Sequence, residues 1–254
     1  VLVLESTYGD RLHEGRRDRR GRLRAVLEGT LQDGGATIVP AFSLGRTQEL
    51  LYEINAIFAE LATRSGMASR LREVDVIVDS PLASRFTQAY QDCEGFWDEE
   101  AKALVRSGDQ PLVFDNLMTV EDHRQHCWTV DYLQRKAPPS VVIAGSGMCT
   151  GGRVVNYLQA LLGDERTDVV FAGYQAAGTA GRALQSGKKQ VTLGGKVLPV
   201  KAKVHSLSGY SAHADQADLL RFVRGIRRGP ERVVLVHGEA GAKRGLRKKL
   251  AALG

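Results

Sequence analysis

Three polar side chains that can do acid–base or metal chemistry stand at the ends of predicted elements. Glu5 follows the apolar run VLVL, His237 follows the run VVLV, and His213 lies in the stretch LSGYSAHADQAD. A histidine with its ordinary pKa of about 6.5 can ligate a metal or transfer a proton at neutral pH. The sequence contains no HxHxDH or HExxH cluster. Spacing alone therefore leaves His213 open as a ligand, a proton donor or a helix-start residue.

The elements that must position these residues alternate along the chain. A helix is predicted from Arg16 to Gln32 and ends at Asp33-Gly34-Gly35. Apolar strands then alternate with helical segments, and the strands are ATIVPAF, VDVIVDS, SVVIAGSG and DVVFAGY. This alternation predicts an α/β fold whose parallel sheet is covered by helices on both faces. From about Lys188 the pattern changes to two short strands around a Gly-Gly turn, a helix and a last strand.

Composition limits the class of protein. The 254 residues carry a formal charge of +6, with basic runs at 11–24 and 243–249. Such runs suit a phosphate-rich partner, although many basic runs only face water. No apolar run approaches about 18 residues, so we expect no membrane partner. Three widely spaced cysteines without a CxxC pair argue against a disulfide framework, and we expect a cytoplasmic setting.

A glycine-rich loop, AGSGMCTGGR, follows a predicted strand and opens a helix. Its backbone amides could hold a phosphate, or its glycines could simply permit a tight turn. The glycine spacing and the missing acidic residue after the next strand disfavour a dinucleotide fold. The candidate phosphate contacts are Gly145, Ser146, Gly147, Gly151, Gly152 and Arg153.

Further polar residues follow the other predicted strands. Ser43 is predicted to cap a helix, and Arg46 in the first turn of that helix is a candidate phosphate contact. Asp79 is also predicted to be a helix N-cap. His123 and His126 stand three apart, which favours a solvated helix face over a zinc site because two ligands do not make one.

Seven motifs in this order carry a resemblance to a known family. They are ESTYGDR, FSLGRTQELLYEI, VDSPLA, AGSGMCTGGR, FAGYQAAGTAGR, SGYSAHADQADL and LVHGE. The chain resembles the β-CASP family of metallo-β-lactamase-fold RNA-processing nucleases, in particular the bacterial and archaeal relatives of the polyadenylation-specificity endonuclease. The resemblance implies a parallel-sheet β-CASP domain at 34–187. It also implies parts of a metallo-β-lactamase αββα fold at 1–33 and 188–254.

The same resemblance implies roles for the three polar residues. His237 matches a ligand of the second of two zinc ions, and His213 matches the proton donor that Glu5 orients. Ser211 is then expected to cap the helix that carries His213. The family's other zinc ligands precede ESTYG, so we expect the chain to be a fragment that is inactive by itself.

The implied function is zinc-dependent hydrolysis of single-stranded RNA by the full-length protein. The alternative is a non-catalytic RNA-binding or scaffold member of the same family. The sequence leaves open whether cleavage is internal or from an end, and whether the protein forms a homodimer.

Overall fold

The computed structural model describes residues 1–253, in which strands and helices alternate. The strands are β1 Leu2–Glu5, β2 Ala36–Pro40, β3 Asp75–Asp79, β4 Leu117–Thr119, β5 Ser140–Ala144, β6 Asp168–Phe171, β7 Gln190–Leu193, β8 Lys196–Pro199, β9 Lys203–Ser206 and β10 Val233–Val236. The helices are α1 Arg19–Asp33, α2 Arg46–Ala62, α3 Met67–Arg72, α4 Pro81–Asp92, α5 Glu99–Arg106, α6 His123–Lys136, α7 Val154–Leu161, α8 Ala180–Gln185, α9 Gln216–Arg224 and α10 Ala240–Ala251. No helix among residues 1–253 is long and apolar enough to cross a membrane.

The chain divides into two compact units. The larger unit is continuous, Arg20–Leu207, and the smaller unit combines Val1–Arg19 with the residues from Ser208 onward. β9 belongs to the larger unit because it pairs in parallel with β6. The β7–β8 hairpin, which turns at the predicted Gly-Gly pair, contacts α7 and α8 of the same larger unit.

A six-stranded parallel sheet forms the centre of the larger unit, with the strand order β4-β3-β5-β2-β6-β9. Both alternating sets of side chains are buried: Ile38 and Val39 on β2 are each 0% exposed, and Val142 and Ile143 on β5 are equally enclosed. Successive side chains of a strand point to opposite faces, so both faces must be covered. The predicted fold class is confirmed.

Two predicted helix caps were wrong. Gly45, with φ 76°, precedes α2, and the Ser43 hydroxyl instead hydrogen-bonds the Ser80 hydroxyl at 2.9 Å. Ser80 caps α4 by accepting the Ala83 amide at 3.2 Å. Asp79 is the last residue of β3, one position too early to cap.

Asp79 is instead fully buried and accepts hydrogen bonds from three side chains. Arg153 donates to Oδ1 at 2.6 Å, while Tyr157 donates to Oδ2 at 2.5 Å. His126 Nδ1 lies 2.6 Å from Oδ2 and must carry a proton, because a carboxylate can only accept. His126 is therefore a buried partner of Asp79 and not part of a solvated face, and Asn156 Nδ2 donates to its Nε2 at 3.0 Å.

The smaller unit is built on β1 and β10, which pair in parallel. Its core is formed by Leu4, Leu219 and Leu246. The N-cap of α9 is Asp215, whose side chain accepts the Asp218 amide at 2.9 Å. His213 thus precedes the helix, and the expectation that Ser211 caps it was wrong.

We predict that Asp79→Ala lowers the free energy of unfolding by about 3–5 kcal/mol, because it leaves the Arg153 guanidinium and two further donors without their buried acceptor. Urea denaturation measures the change. The matched control is Asp92→Ala on exposed α4 surface, for which we expect less than about 1 kcal/mol. Equal losses in the two variants would contradict a stabilising role for this network.

Candidate active site

Parallel pairing of β1 with β10 brings Glu5 and His237 to the same end of the small sheet. Glu5 stands opposite Val236 in the register, so His237 is the first residue beyond that pair. His213 reaches them from the loop that follows the short 3-10 turn Ser208–Tyr210. One potential ligand atom from each of the three residues lies within 4.8 Å of the others. The structure therefore assembles the three residues that the sequence analysis singled out.

Glu5 holds the His213 ring through a direct hydrogen bond. His213 Nδ1 lies 3.0 Å from Glu5 Oε2, and Glu5 Oε1 accepts the Ala214 amide at 3.0 Å. Partial burial raises the pKa of Glu5, but the hydrogen bonds from Thr7 and Ala214 and the charge of His213 outweigh it and hold the pKa below its usual value. Glu5 therefore stays ionised at neutral pH, keeps the Nδ1 proton on His213, and leaves Nε2 for another partner.

Thr7 belongs to this site, although the sequence analysis did not single it out. Its hydroxyl donates to Glu5 Oε2 at 2.6 Å and lies 2.8 Å from His237 Nδ1 and 3.4 Å from His213 Nδ1. Because the hydroxyl has one proton and gives it to Glu5, it accepts the Nδ1 proton of His237. Thr7 stands two residues after Glu5, and the strand period of two was the available signal.

The backbone at His237 is held in an unusual conformation. His237 has φ 54° and Gly238 has φ 86°. Residues other than glycine rarely adopt this left-handed backbone region. A Cβ at Gly238 would lie 2.4 Å from the Ser6 carbonyl oxygen. Ser6 donates its hydroxyl to the Val236 carbonyl at 2.9 Å and also contacts the His237 carbonyl. This tight turn fixes the direction of the histidine ring at the strand end.

The glycine-rich loop lies in the larger unit, between β5 and α7. Two of its amides bond within the loop, Ser146 to the Gly151 carbonyl and Cys149 to the Ser146 carbonyl. Gly152 has φ 74°, and a Cβ there would lie 2.7 Å from the Gly145 carbonyl oxygen. The positive φ and the close carbonyl explain why the turn requires glycine at position 152. The Phe42 ring lies against Gly147, where a Cβ would come within 3.2 Å of it.

The two predicted phosphate-binding arginines are engaged in ion pairs. Arg46 pairs with Glu49 one turn along α2, and Arg153 pairs with Asp79 while also donating to the Val120 carbonyl at 2.8 Å. A phosphate that contacts either guanidinium has to share it with a carboxylate. Their role in binding RNA, and that of the loop and Ser43, stays a prediction.

Comparison with known proteins identifies the family. The Beta-Casp domain family matches residues 47–184, more than half of the chain, and the family described as the Zn-dependent metallo-hydrolase RNA specificity domain matches residues 197–254. The chain belongs to the β-CASP family.

Curated relatives extend this match over the whole chain. Ribonuclease TTHA0252 of Thermus thermophilus is 35% identical over 254 residues, which cover 100% of this chain and 53% of the relative. Transcription termination factor FttA of Methanocaldococcus jannaschii is 34% identical over 249 residues, covering 94% of this chain and 37% of the relative. The RNase J-like protein of the same archaeon is 32% identical over 241 residues, covering 94% and 52%. The chain thus spans about half of the length of the ribonuclease and a smaller share of FttA.

Zinc, which the second family's description names, suits part of the donor set in this β-CASP chain. Thr7 accepts the Nδ1 proton of His237, so the Nε2 lone pair of that ring is available to a metal. Both oxygens of Glu5 already accept hydrogen bonds. Structural and catalytic zinc sites take three or four protein ligands. Within residues 1–253 this trio is the one such group of histidine, cysteine and acidic side chains, so it supplies only part of a zinc site.

We predict that Thr7→Val changes the tautomers of both active-site histidines, because valine keeps the shape of threonine but removes the shared hydroxyl. Nitrogen chemical shifts of His213 and His237 in labelled protein measure the effect. Thr192→Val, at an exposed position of β7, is the matched control and should leave both rings unchanged. Unchanged histidine spectra in Thr7→Val would show that the hydroxyl does not set the ring protonation.

We predict that Cys149 resists alkylation in the folded β-CASP chain. Burial raises its pKa to about 12, so the reactive thiolate is scarce at pH 8, whereas Cys93 and Cys127 are exposed. A thiol reagent should modify the two exposed cysteines quickly and the third only in denaturant. A variant with Cys93→Ser and Cys127→Ser isolates Cys149. Rapid modification of that variant under native conditions would mean that the glycine-rich loop opens readily.

Proposed function

We propose that the full-length protein is a zinc-dependent ribonuclease that hydrolyses phosphodiester bonds of single-stranded RNA. The observation that carries the proposal is the His213 ring held by Glu5 directly beside His237. Membership of the β-CASP family and the ribonuclease among the curated relatives support the reaction class. The assembled trio favours an enzyme over a scaffold protein, for which this hydrogen-bonded arrangement would have no use.

Each side chain has a separate task in this mechanism. When bound, zinc supplies an activated water and neutralises charge on the scissile phosphate. His237 presents Nε2 as one of the zinc ligands, and Thr7 holds the proton on its other nitrogen. His213 gives a proton from Nε2 to the departing ribose oxygen. Glu5 stabilises the cationic form of His213 and fixes its orientation.

We further propose that these 254 residues by themselves bind zinc weakly and do not cleave RNA. The described residues bring three candidate ligands together, and one of them, Glu5, is committed to hydrogen bonds. Tight zinc binding needs a more complete ligand set. Metal analysis of this chain beside the full-length protein tests the proposal, and stoichiometric zinc in the isolated chain would contradict it.

The proposed RNA contacts of the larger unit are Ser43, Arg46, Arg153 and the glycine-rich loop. All of them follow the carboxyl ends of strands in the parallel sheet, the edge at which open α/β sheets bind ligands. The net positive charge of the chain supports an anionic partner.

We predict that His213→Ala in the full-length protein lowers kcat by about 100-fold to 10,000-fold, because the leaving oxygen loses its proton donor. Zinc content and RNA affinity should stay unchanged. His237→Ala should instead lower zinc content together with turnover. A labelled RNA cleavage assay and metal analysis separate the two effects.

The matched control is His123→Ala, which removes an exposed histidine of α6 and should leave cleavage unchanged. Loss of zinc in His213→Ala would assign His213 to the metal instead. Full turnover in His213→Ala would remove it from the mechanism.

A further inference from the structure

A pocket with aromatic walls lies in the larger unit, beside the first turn of α2. It encloses about 330 Å³, and its walls include Tyr52 from α2, Tyr90 from α4, and Trp97 from the segment between α4 and α5. Hydrogen bonds hold two of these rings. Trp97 Nε1 donates to the Tyr90 carbonyl at 2.9 Å, and the Tyr52 hydroxyl donates to Glu100 at 3.1 Å.

Gln48 contributes an unsatisfied acceptor to the same pocket. The side chain is 2% exposed and lines the cavity. Its amide nitrogen donates to the Ser43 carbonyl at 3.1 Å and to the Thr87 hydroxyl at 3.0 Å, which fixes the orientation of the carboxamide. The oxygen Oε1 has no hydrogen-bond partner among residues 1–253. A buried acceptor without a donor is unfavourable.

The surroundings of the pocket are acidic, although the chain as a whole is basic. Five carboxylates and no lysine or arginine occur between residues 92 and 100, while the chain carries +6. Asp98 lines the cavity itself, as does Glu49, whose charge is paired with Arg46. Burial, together with Glu100 and Asp98, raises the pKa of Tyr52 to about 12, while the charge of Arg20 opposes them.

We infer that this acidic aromatic pocket binds an arginine or lysine side chain from a basic segment of a partner protein. A cationic head group is attracted by the faces of the three rings and by the carboxylates. The apolar part of the same side chain packs against the cavity wall. The cavity is large enough for one guanidinium and its stem. This site does not depend on RNA cleavage.

The test uses the fluorescence of Trp97. The chain has two tryptophans, and Trp128→Phe leaves Trp97 as the sole reporter. An unlabelled peptide of alternating arginine and glycine is titrated into this variant at physiological salt. We expect a saturable change in Trp97 emission. The same peptide with citrulline in place of arginine keeps the size and removes the charge, and it should bind at least tenfold more weakly.

Two pairs of matched variants locate the site. Tyr90→Leu removes a wall of the pocket, and Phe96→Leu removes a neighbouring ring that is 91% exposed and outside the lining. Asp98→Asn removes a lining charge but keeps the N-cap of α5, since asparagine caps as well as aspartate. Asp92→Asn removes an equal charge elsewhere in the acidic segment. Tyr90→Leu and Asp98→Asn should each weaken peptide binding about three- to tenfold, and the two controls should not.

Several outcomes would overturn the inference. Equal binding of the citrulline peptide would show that the pocket does not recognise the positive charge. Equal weakening by Asp92→Asn would reduce the effect to general charge attraction. Saturable quenching of Trp97 by oligouridylate would make the pocket a base-stacking site. A Trp97 shift that depends on protein concentration without peptide would make its occupant a second copy of the chain. Thermal melting of every variant separates lost binding from lost folding.

Discussion

The parallel pairing of β1 with β10 is the constraint on which the candidate active site depends. Its register joins the beginning of the chain to a strand more than two hundred residues later, and it fixes Glu5 opposite Val236. A shift by one residue would turn Glu5 to the opposite face of the strand and separate it from His213. Leu4 packs against the leucines of α9 and α10, so burial of that face makes such a shift unfavourable. Apolar packing on one side of a strand thus sets the acid–base geometry at its end.

Two of the carboxylate–histidine pairs among the described residues differ in how exposed their side chains are, and this difference separates their roles. In the Asp79–His126 pair the side chains are 0% and 2% exposed. The other hydrogen-bond donors to Asp79 are the side chains of Arg153 and Tyr157. In the Glu5–His213 pair they are 29% and 39% exposed, and His213 Nε2 remains open to a partner. A closed pair stabilises the fold, while an open pair can exchange a proton with a substrate. The same chemistry therefore serves structure in the larger unit and, in our proposal, proton transfer in the smaller one.

The local sequence predicted the alternation of strands and helices well, because short runs of β-branched residues are typical of buried parallel strands. It also pointed to Glu5, His213 and His237, each of which ends an apolar run or precedes a helix. It did not reveal Thr7, since a threonine near a strand end is common and its role depends on two histidines far along the chain. Asp79 was read as a cap for the same reason, because its partners Arg153 and Tyr157 come from a later helix.

The cap predictions for Ser43 and Ser211 were wrong by a few residues. Each serine stands near a helix start, but the helix begins several residues later, after a turn that propensity alone does not place. The aromatic pocket was missed because its rings come from three separate segments, and none of those segments has a motif.

The continuity of the larger unit has a consequence for the order in which the molecule forms. Arg20–Leu207 holds all six strands of its sheet in one uninterrupted stretch, so it can fold as soon as that stretch has left the ribosome. The smaller unit cannot, because β10 and His237 are synthesised after the entire larger unit. The pairing of β1 with β10, which brings Glu5 beside His237, is therefore completed only after the sheet of the larger unit has been synthesised.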